Sequence, residues 1–208
     1  MRRAATYGLI ALIALVVSST SNAAIIAQFT GTTPSGSNTA YNYNLVFSTN
    51  NGLDRLESGS SILNPGALNS ADFITLYDVG SSGLGGNLVA ATAGSGFSVS
   101  LQNVGINASQ TLPSDDPLLA NVTYKYTGPT ISTDTIFPGF SIVVSNHDGT
   151  ILKPFTGQYT DNEGPELGTK ISQIGVVAVP AGTSIPEPAA LGLGLMSVLG
   201  LVARRRRI

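Results

Sequence analysis

Short stretches of alternating apolar and polar residues, separated by turn residues, constrain the fold of this chain more than any other feature. In residues 41–48 every second residue is large and apolar: Tyr41, Tyr43, Leu45 and Phe47. Because successive side chains of a β-strand point to opposite faces, this alternation predicts a strand with one buried face. Further β-prone stretches occupy residues 25–30, 73–79, 88–92, 97–101, 122–127, 140–145 and 174–179.

Clusters of glycine, asparagine and proline lie between these stretches, for example at residues 50–52, 64–66 and 80–86. Glycine and asparagine tolerate positive φ and proline presets a turn, so such clusters end strands. No window of the body has the 3.6-residue spacing of an amphipathic helix. Together these patterns predict an all-β fold, a single β-sandwich over residues 24–180. A jelly-roll or barrel topology is left open.

The body carries little charge and no cysteine. Between residues 24 and 184, four basic residues stand against eleven acidic ones, a formal charge of −7. Nucleic acid is recognised by clustered Lys and Arg, so this composition argues against a nucleic-acid partner. The absence of cysteine from the sequence excludes disulfides, thiol nucleophiles and zinc–thiolate sites. Stability must therefore come from burial and backbone pairing.

The first 23 residues have the pattern of a secretory signal peptide. Arg2 and Arg3 precede an apolar run at residues 7–17, and small or polar residues follow up to Ala23. The apolar run is well short of the roughly 20 residues that a membrane-spanning helix needs. We expect export through the Sec translocon and cleavage by signal peptidase between Ala23 and Ala24.

The carboxy-terminal segment has three parts. Residues 181–188 predict a linker that ends in Pro186, Glu187 and Pro188, and residues 189–203 are uncharged and almost wholly apolar. As a helix this run rises about 22 Å, against a bilayer core of about 30 Å, so its flanks must contribute to a transmembrane helix. The basic residues of the 204–208 tail then stay cytoplasmic, and the body lies outside the inner membrane. These residues are Arg204, Arg205, Arg206 and Arg207.

Pro-Glu-Pro, a Leu/Gly-rich run and a terminal arginine cluster resemble the PEP-CTERM sorting signal of exported bacterial proteins. The resemblance covers residues 186–208 and implies processing by an exosortase, a membrane-embedded cysteine protease or transpeptidase, near Pro186–Pro188. It further implies transient anchoring in the inner membrane and delivery to the cell surface or extracellular matrix, in bacteria that make exopolysaccharide. A simple membrane anchor is the alternative. We expect a structural or adhesive protein rather than an enzyme.

Two other functions stay open, a carbohydrate-binding module and a secreted polysaccharide hydrolase. A hydrolase needs two carboxylates beside the scissile bond, and the pairs close in sequence are Asp54/Glu57, Asp72/Asp78 and Asp115/Asp116. The single histidine, His147, lies in an Asn-His-Asp-Gly turn, and no Gly-x-Ser-x-Gly elbow presents a nucleophilic serine to it. These observations predict no catalytic residue.

Two further sets of residues are candidates for binding. The loop at residues 161–166 concentrates oxygen-bearing side chains of the kind that calcium prefers, although the EF-hand pattern is absent. Its candidate ligands are Asp161, Asn162, Glu163 and Glu166. Exposed aromatic rings stack on sugar faces, and the rings considered for glycan contact are Tyr124, Tyr126 and Tyr159. Calcium is the one cofactor that the sequence suggests.

Overall fold

The structure is a computed structural model that describes residues 24–59, 71–80, 87–145 and 149–181. Ten strands occupy this part of the chain, with a single turn of 3-10 helix at Gly164–Glu166. The strands are β1 (Ala24–Ser35), β2 (Asn38–Ser48), β3 (Asp54–Arg55), β4 (Phe73–Val79), β5 (Leu88–Thr92), β6 (Phe97–Gln102), β7 (Ala120–Tyr126), β8 (Thr135–Val144), β9 (Thr150–Asp161) and β10 (Lys170–Pro180). These elements confirm the predicted all-β class.

The strands form two antiparallel sheets. Sheet A has the order β1-β2-β8-β5, and sheet B has the order β10-β9-β4-β7-β6, with β3 paired to β9. Each hairpin-connected pair, such as β1–β2 and β9–β10, occupies one end of its sheet. Sheets of four and six strands differ from an eight-stranded jelly roll, which is built from two four-stranded sheets.

The inner face of β2 carries the side chains that its alternation predicted. Tyr41, Tyr43, Leu45 and Phe47 are all at most 1% exposed, and the intervening side chains are half-buried on the other face. The period of two along a strand is therefore expressed directly in burial. This confirms the prediction of one buried face.

Aromatic rings join the two sheets at one end of the core. Phe97 of β6 lies edge-on to Phe137 and Phe140 of β8, with ring centroids 5.1 Å apart in both pairs. Tyr124 of β7 meets Phe140 in the same way at 4.9 Å. Edge-to-face contacts of this kind add to the stabilisation from burial alone. Residues from both sheets thus share one core.

The residue pattern of β9 does not predict a strand, because Pro154 and Gly157 interrupt it. The pairing between β4 and β9 ends where Leu76 meets Phe155, so Pro154 lies one residue beyond it and its missing N–H interrupts no bond to β4. Gly157 faces β1, and a Cβ there would lie 2.6 Å from Ile25 Cγ2. The strand therefore tolerates Pro154 because no β4 bond is lost there, and it needs Gly157 because Ile25 leaves no room for a side chain.

The central strand of sheet B, β4, is covered on its outer face as well as its inner face. All seven residues of β4 are buried. Residues 103–119, which we name the covering loop, connect β6 to β7 and lie over β4, where Thr75 Oγ1 donates to the carbonyl of Ile106 at 2.8 Å. The chain thereby buries polar side chains on a sheet face that would otherwise meet solvent.

The predicted processing segments fall outside the described residues. The signal peptide at 1–23, the linker beyond Ala181, the apolar run at 189–203 and the basic tail at 204–208 are not described. Ala24, on the distal side of the predicted cleavage point, is the first residue of β1. Within the described ranges, no helix has the length and apolarity needed to cross a membrane.

Candidate functional site

Two carboxylates, an ammonium group and a guanidinium group meet in a buried ion network at one end of sheet B. Lys170, the first residue of β10, donates from Nζ to Glu57 Oε1 at 3.0 Å, to Asp72 Oδ1 at 2.9 Å and to Thr160 Oγ1 at 2.7 Å. The Lys170 side chain is 10% exposed and that of Asp72 is fully buried. An ammonium group has three hydrogens, so Lys170 has none left to donate to a ligand.

Arg55 extends this network to the turn after β9. Its Nε lies 3.1 Å from Glu57 Oε2, and its Nη1 donates to Asn162 Oδ1 at 3.1 Å. The amide nitrogen of Asn162 in turn donates to the carbonyl of Gly52 at 2.9 Å. We use the term buried ion network for Arg55, Glu57, Asp72, Thr160, Asn162 and Lys170. Its two basic and two acidic side chains balance in charge, as buried ions must.

Asp72 is the most deeply buried member of the network. Burial raises its pKa to about 6, while the charge and hydrogen bond of Lys170 act in the opposite direction. Its Oδ2 also accepts from the backbone N–H of Glu57 at 2.8 Å, and both of its oxygens lie within reach of the Thr160 hydroxyl. The Asp72 carboxylate therefore links β9, β10 and the segment after β3 to one another. These contacts give Asp72 a structural role.

A second polar cluster holds the covering loop against sheet B. The Tyr77 hydroxyl lies 2.8 Å from the carbonyl of Ile106, 2.6 Å from Asn107 Oδ1 and 2.9 Å from Thr156 Oγ1. Thr75 and Thr123 share a hydrogen bond at 2.9 Å beneath the same loop. Burial raises the pKa of Tyr77, so its hydroxyl stays protonated and can donate.

The other end of the covering loop is held by carboxylates. Asp78 has a left-handed backbone conformation, with a φ of 54°. Its Oδ1 accepts a hydrogen bond from the backbone N–H of Asp116 at 2.8 Å, and its Oδ2 lies 3.1 Å from Lys153 Nζ. Asp115 accepts from Gly105 N at 3.0 Å and from Asn121 Nδ2 at 2.9 Å. Asp78 and Asp115, both members of pairs considered for hydrolysis, therefore anchor loop backbone.

The open candidate for ligand binding is a polar cleft of about 520 Å³ beside the buried ion network. It lies between the covering loop, the 3-10 turn and the start of β10, and its lining residues are Ser109, Gln110, Glu166, Thr169, Lys170, Ile171 and Ser172. Ser172 Oγ is buried and has no hydrogen-bond partner in the described residues. Hydroxyl and amide groups dominate the lining, which suits a small hydroxylated ligand.

The three tyrosines predicted to contact glycan lie in the core instead. Tyr124, Tyr126 and Tyr159 are 0%, 1% and 6% exposed. The hydroxyl of Tyr124 donates to the carbonyl of Ser141 and that of Tyr126 to the carbonyl of Pro129. A buried ring cannot stack on a sugar face, so the prediction of a glycan platform at these residues is wrong. The physical reason is that the side chains of all three tyrosines are on the core-facing side of their strands, β7 and β9.

The four predicted calcium ligands lie on one turn but do not point to one place. Asp161 Oδ1 accepts from the backbone N–H of Glu163 at 2.9 Å, and the side-chain oxygen of Asn162 is bound to Arg55. Glu163 and Glu166 are exposed. In the described ranges, no three His, Cys, Asp or Glu side chains converge as metal ligands. Calcium binding stays a prediction.

A pair of acids meets across β3 and β9. Asp54 lies opposite Asp161 in the register of these strands. Burial, and then the negative charge of Asp161, raises the pKa of Asp54 to about 6. The predicted pair Asp54/Glu57 does not form, since Glu57 is bound to Arg55 and Lys170.

Several predicted residues lie outside the described part of the chain. These are Ala23, His147, Pro186, Glu187, Pro188, Arg204, Arg205, Arg206 and Arg207.

Sequence reasoning missed the buried ion network, although the sequence contains a signal for it. Residues 24–184 include only four basic residues, and Arg55 and Glu57 are two positions apart, so they share one face of an extended segment. The contacts with Asp72 and Lys170 come from sheet topology and carry no local signal. Comparison of the chain with protein-family models, with curated proteins and with solved structures found no match.

Proposed function

We propose that this chain is an exported protein that is processed by an exosortase and delivered to the cell surface or extracellular matrix. There it has a structural or adhesive role in an exopolysaccharide setting. The observation that carries the proposal is the order of the three tail features: Pro186–Glu187–Pro188, the apolar run at 189–203, and Arg204–Arg207. A chain held in the inner membrane by that run presents the Pro-Glu-Pro segment on the outer side.

The positions of the first and last strands support the proposal that residues 24–180 form the folded body and that the segments on either side are cleaved off. Signal peptidase cleavage after Ala23 leaves β1 complete, including Ile25, which is fully buried against sheet B. At the other end, β10 closes at Pro180, and Ala181 still donates its N–H to the carbonyl of Gly149 at 3.0 Å. Cleavage near Pro186–Pro188 therefore removes no residue of a described strand.

The use of charge in the body supports a non-enzymatic role. Three of the four basic residues of the body, Arg55, Lys153 and Lys170, are bound to buried carboxylates. These carboxylates hold loops and strands together, in a protein that has no disulfide to do so. Such a body suits a stable scaffold outside the cytoplasm.

Carbohydrate binding is the second candidate, and the polar cleft favours it. The cleft offers the exposed hydroxyls of Ser109 and Thr169 and the amide of Gln110 as hydrogen-bond partners. Titration with neutral oligosaccharides, followed by NMR, should perturb β10 amides beside the cleft in the original chain and not in Thr169→Val, which removes an exposed hydroxyl of the lining. Equal perturbation in both proteins would reject this cleft as the glycan site.

Fractionation of the native host tests the sorting proposal. The original chain should reach the surface or matrix fraction, and a chain with Pro186→Ala, Glu187→Ala and Pro188→Ala should stay in the membrane fraction, because the tether is not cut. Pro180→Ala, a proline substitution at the end of β10, serves as the matched control and should leave delivery unchanged. Full surface delivery of the triple variant would contradict the proposal.

A further inference from the structure

The sequence contains one Asn-Gly dipeptide, Asn51–Gly52, which lies between β2 and β3. Asn51 is exposed, so water reaches its side chain, whereas Thr49 at the start of the same turn is buried. An asparagine followed by glycine is prone to lose its side-chain amide, because glycine has no side chain to obstruct the approach of its own nitrogen. The turn is therefore a place where the chain can modify itself without an enzyme.

The reaction joins the backbone nitrogen of Gly52 to the side-chain carbonyl carbon of Asn51. The Gly52 nitrogen gives up its proton to hydroxide and attacks Cγ of Asn51, a succinimide ring closes, and Nδ2 takes up a proton and leaves as ammonia. Water then adds to either ring carbonyl and opens the ring, which leaves aspartate or isoaspartate at this position. Water is consumed and ammonia is released, and no atom is oxidised or reduced.

The folded turn keeps the Gly52 nitrogen from this reaction. Its N–H donates to the carbonyl of Thr49 at 3.1 Å and to Thr49 Oγ1 at 3.0 Å. Asn50 and Asn51 have φ values of 49° and 63°, as the central residues of a type I′ turn require. A nitrogen whose hydrogen is shared between these acceptors loses its proton less readily, so the turn must open before the ring can close.

Thr49 is itself fixed by a second contact. Its N–H and its hydroxyl both donate to Asp134 Oδ1, at 2.7 Å and 3.1 Å. Because the hydroxyl hydrogen is used there, Oγ1 presents a lone pair to the Gly52 N–H. On the other side of Gly52, its carbonyl accepts from Asn162 Nδ2 at 2.9 Å. Both peptide groups of Gly52 are thereby held.

We propose that Asn51 is a site of spontaneous deamidation whose rate in the folded protein is set by opening of the Thr49–Gly52 turn. Local opening of a few hydrogen bonds costs less free energy than global unfolding, so the reaction proceeds while the rest of the chain stays folded. The inference goes beyond the sorting proposal and does not depend on it, because it needs only the turn and its contacts.

The modification reaches the buried ion network through Asn162. Isoaspartate lengthens the backbone by one carbon, so the Gly52 N–H and the Gly52 carbonyl cannot both keep their partners. Asn162 also accepts from Arg55 Nη1 at 3.1 Å, and it thus links the turn to the network. A chain with isoaspartate in place of Asn51 should therefore show faster amide exchange in β3.

Full-length chains incubated in mildly alkaline detergent solution test the role of the turn, with deamidation followed by peptide mapping in a mass spectrometer. Thr49→Val removes one acceptor of the Gly52 N–H and should raise the deamidation rate at Asn51 about fivefold, the effect of one lost hydrogen bond. Thr49→Ser keeps the hydroxyl and should retain the original rate. Thr75→Val, at another buried and hydrogen-bonded threonine, controls for general destabilisation and should also retain it. An unchanged rate in Thr49→Val, or an equal rise in Thr75→Val, would overturn the proposal.

Hydrogen exchange at the Gly52 amide measures opening of the turn directly, even in a less stable variant. The exchange rate should rise by the same factor as the deamidation rate in Thr49→Val and stay unchanged in Thr49→Ser. In urea, where the turn is absent, all chains should deamidate at Asn51 at one rate, faster than the folded original chain. In heavy-oxygen water the aspartate and isoaspartate products should carry the label. Deamidation of the folded original chain as fast as in urea, or no product at Asn51 in urea, would contradict the proposal.

Discussion

The outer faces of the two sheets differ in what covers them. On sheet A the outer face is open: Ile26 and Ile136 flank Val46 in register and are 42% and 62% exposed. On sheet B the covering loop and the buried ion network close the face, and Asp72, Thr75 and Thr160 there are fully buried. Sheet A is thus a strand layer with one wet face, while the central strand of sheet B, β4, is buried on both sides.

This difference shows where the polar residues of a charge-poor protein contribute to stability. A buried polar group costs free energy unless it is hydrogen-bonded, so every group under the covering loop needs a partner. The same residue types on sheet A meet water and need none. Substitutions on the two faces should therefore differ in cost even when the chemical change is similar.

Among the substitutions that test this difference between the sheets, removal of the Lys170 ammonium should lower the free energy of unfolding most. Lys170→Met leaves Glu57 and Asp72 buried without their shared cation, and breaking a buried pair in this way costs about 3–5 kcal/mol. Urea unfolding would measure the loss of unfolding free energy. The exposed Lys125 provides the control, since Lys125→Met should change the free energy by less than about 0.5 kcal/mol. Equal losses of unfolding free energy in the two variants would show that the buried ion network stabilises the fold no more than an exposed lysine does.

Loss of the Tyr77 hydroxyl should be the next largest effect. Tyr77→Phe removes the hydroxyl that contacts Asn107 and Thr156 and leaves the Ile106 carbonyl with Thr75 as its remaining side-chain partner, at a cost of about 1–3 kcal/mol. Hydrogen exchange should also speed up across the covering loop. Tyr124→Phe removes a hydroxyl that has one partner at 3.3 Å and should cost about 1 kcal/mol without a change in loop exchange. A loop that exchanges at its original rate in Tyr77→Phe would contradict the account.

A pair of exchanges between β-branched residues sharpens the contrast between the faces. Thr75→Val on sheet B removes a hydroxyl that bonds both the Ile106 carbonyl and Thr123, and should cost about 1–2 kcal/mol. Ile136→Thr on sheet A adds a hydroxyl at an exposed position and should stay within about 0.5 kcal/mol of the original chain. Thermal unfolding of both variants gives the comparison. Similar destabilisation by both would remove the distinction between the two faces.

The smallest predicted effect concerns pH. The pKa of Asp54 is raised to about 6 by burial and by Asp161, against about 3.9 when unfolded, so the folded state binds the proton more tightly. Its contribution to stability therefore falls as pH rises from about 4 to 6 and stays lost above that. Asp54→Asn should raise the melting temperature at pH 7.5 and flatten its dependence over that range.

Asp134 supplies the control of opposite sign. The backbone N–H of Thr49 lowers the pKa of Asp134, so its contribution is present at neutral pH and is lost as the pH falls through that lowered value. Asp134→Asn should therefore lower the melting temperature at pH 7.5. If Asp54→Asn also lowers it, the assigned repulsion between Asp54 and Asp161 is wrong.

The sequence predicted sheet A better than sheet B, for a physical reason. Alternation on β2 is a local signal, because water on one face and core on the other impose the period of two. On β4 both faces are buried, so residues 73–79 show no alternation and were predicted from their β-prone residue types alone. Pro154 and Gly157 hid β9, since their suitability depends on where the β4 ladder ends and how closely Ile25 approaches.

The candidate site was even less accessible from sequence. Glu57, Asp72 and Lys170 are separated by 15 and 98 residues along the chain, and only the order of strands in sheet B brings them together. Tyr124 and Tyr126 lie two positions apart on β7, so they share one face of that strand. The sequence does not say which face of β7 meets the core, and their burial was therefore not predicted. The tail features, in contrast, lie outside the described residues, and their assignment stays a prediction from their order along the chain.

The account depends most on one claim, that the strands from Ala24 to Pro180 form the working body while the sequences on either side are removed. Intact-mass spectrometry of the protein recovered from the cell surface or matrix tests it directly. We expect a chain that begins at Ala24 and ends near Pro186–Pro188. Recovery of a surface form that retains Arg204–Arg207 would contradict the account.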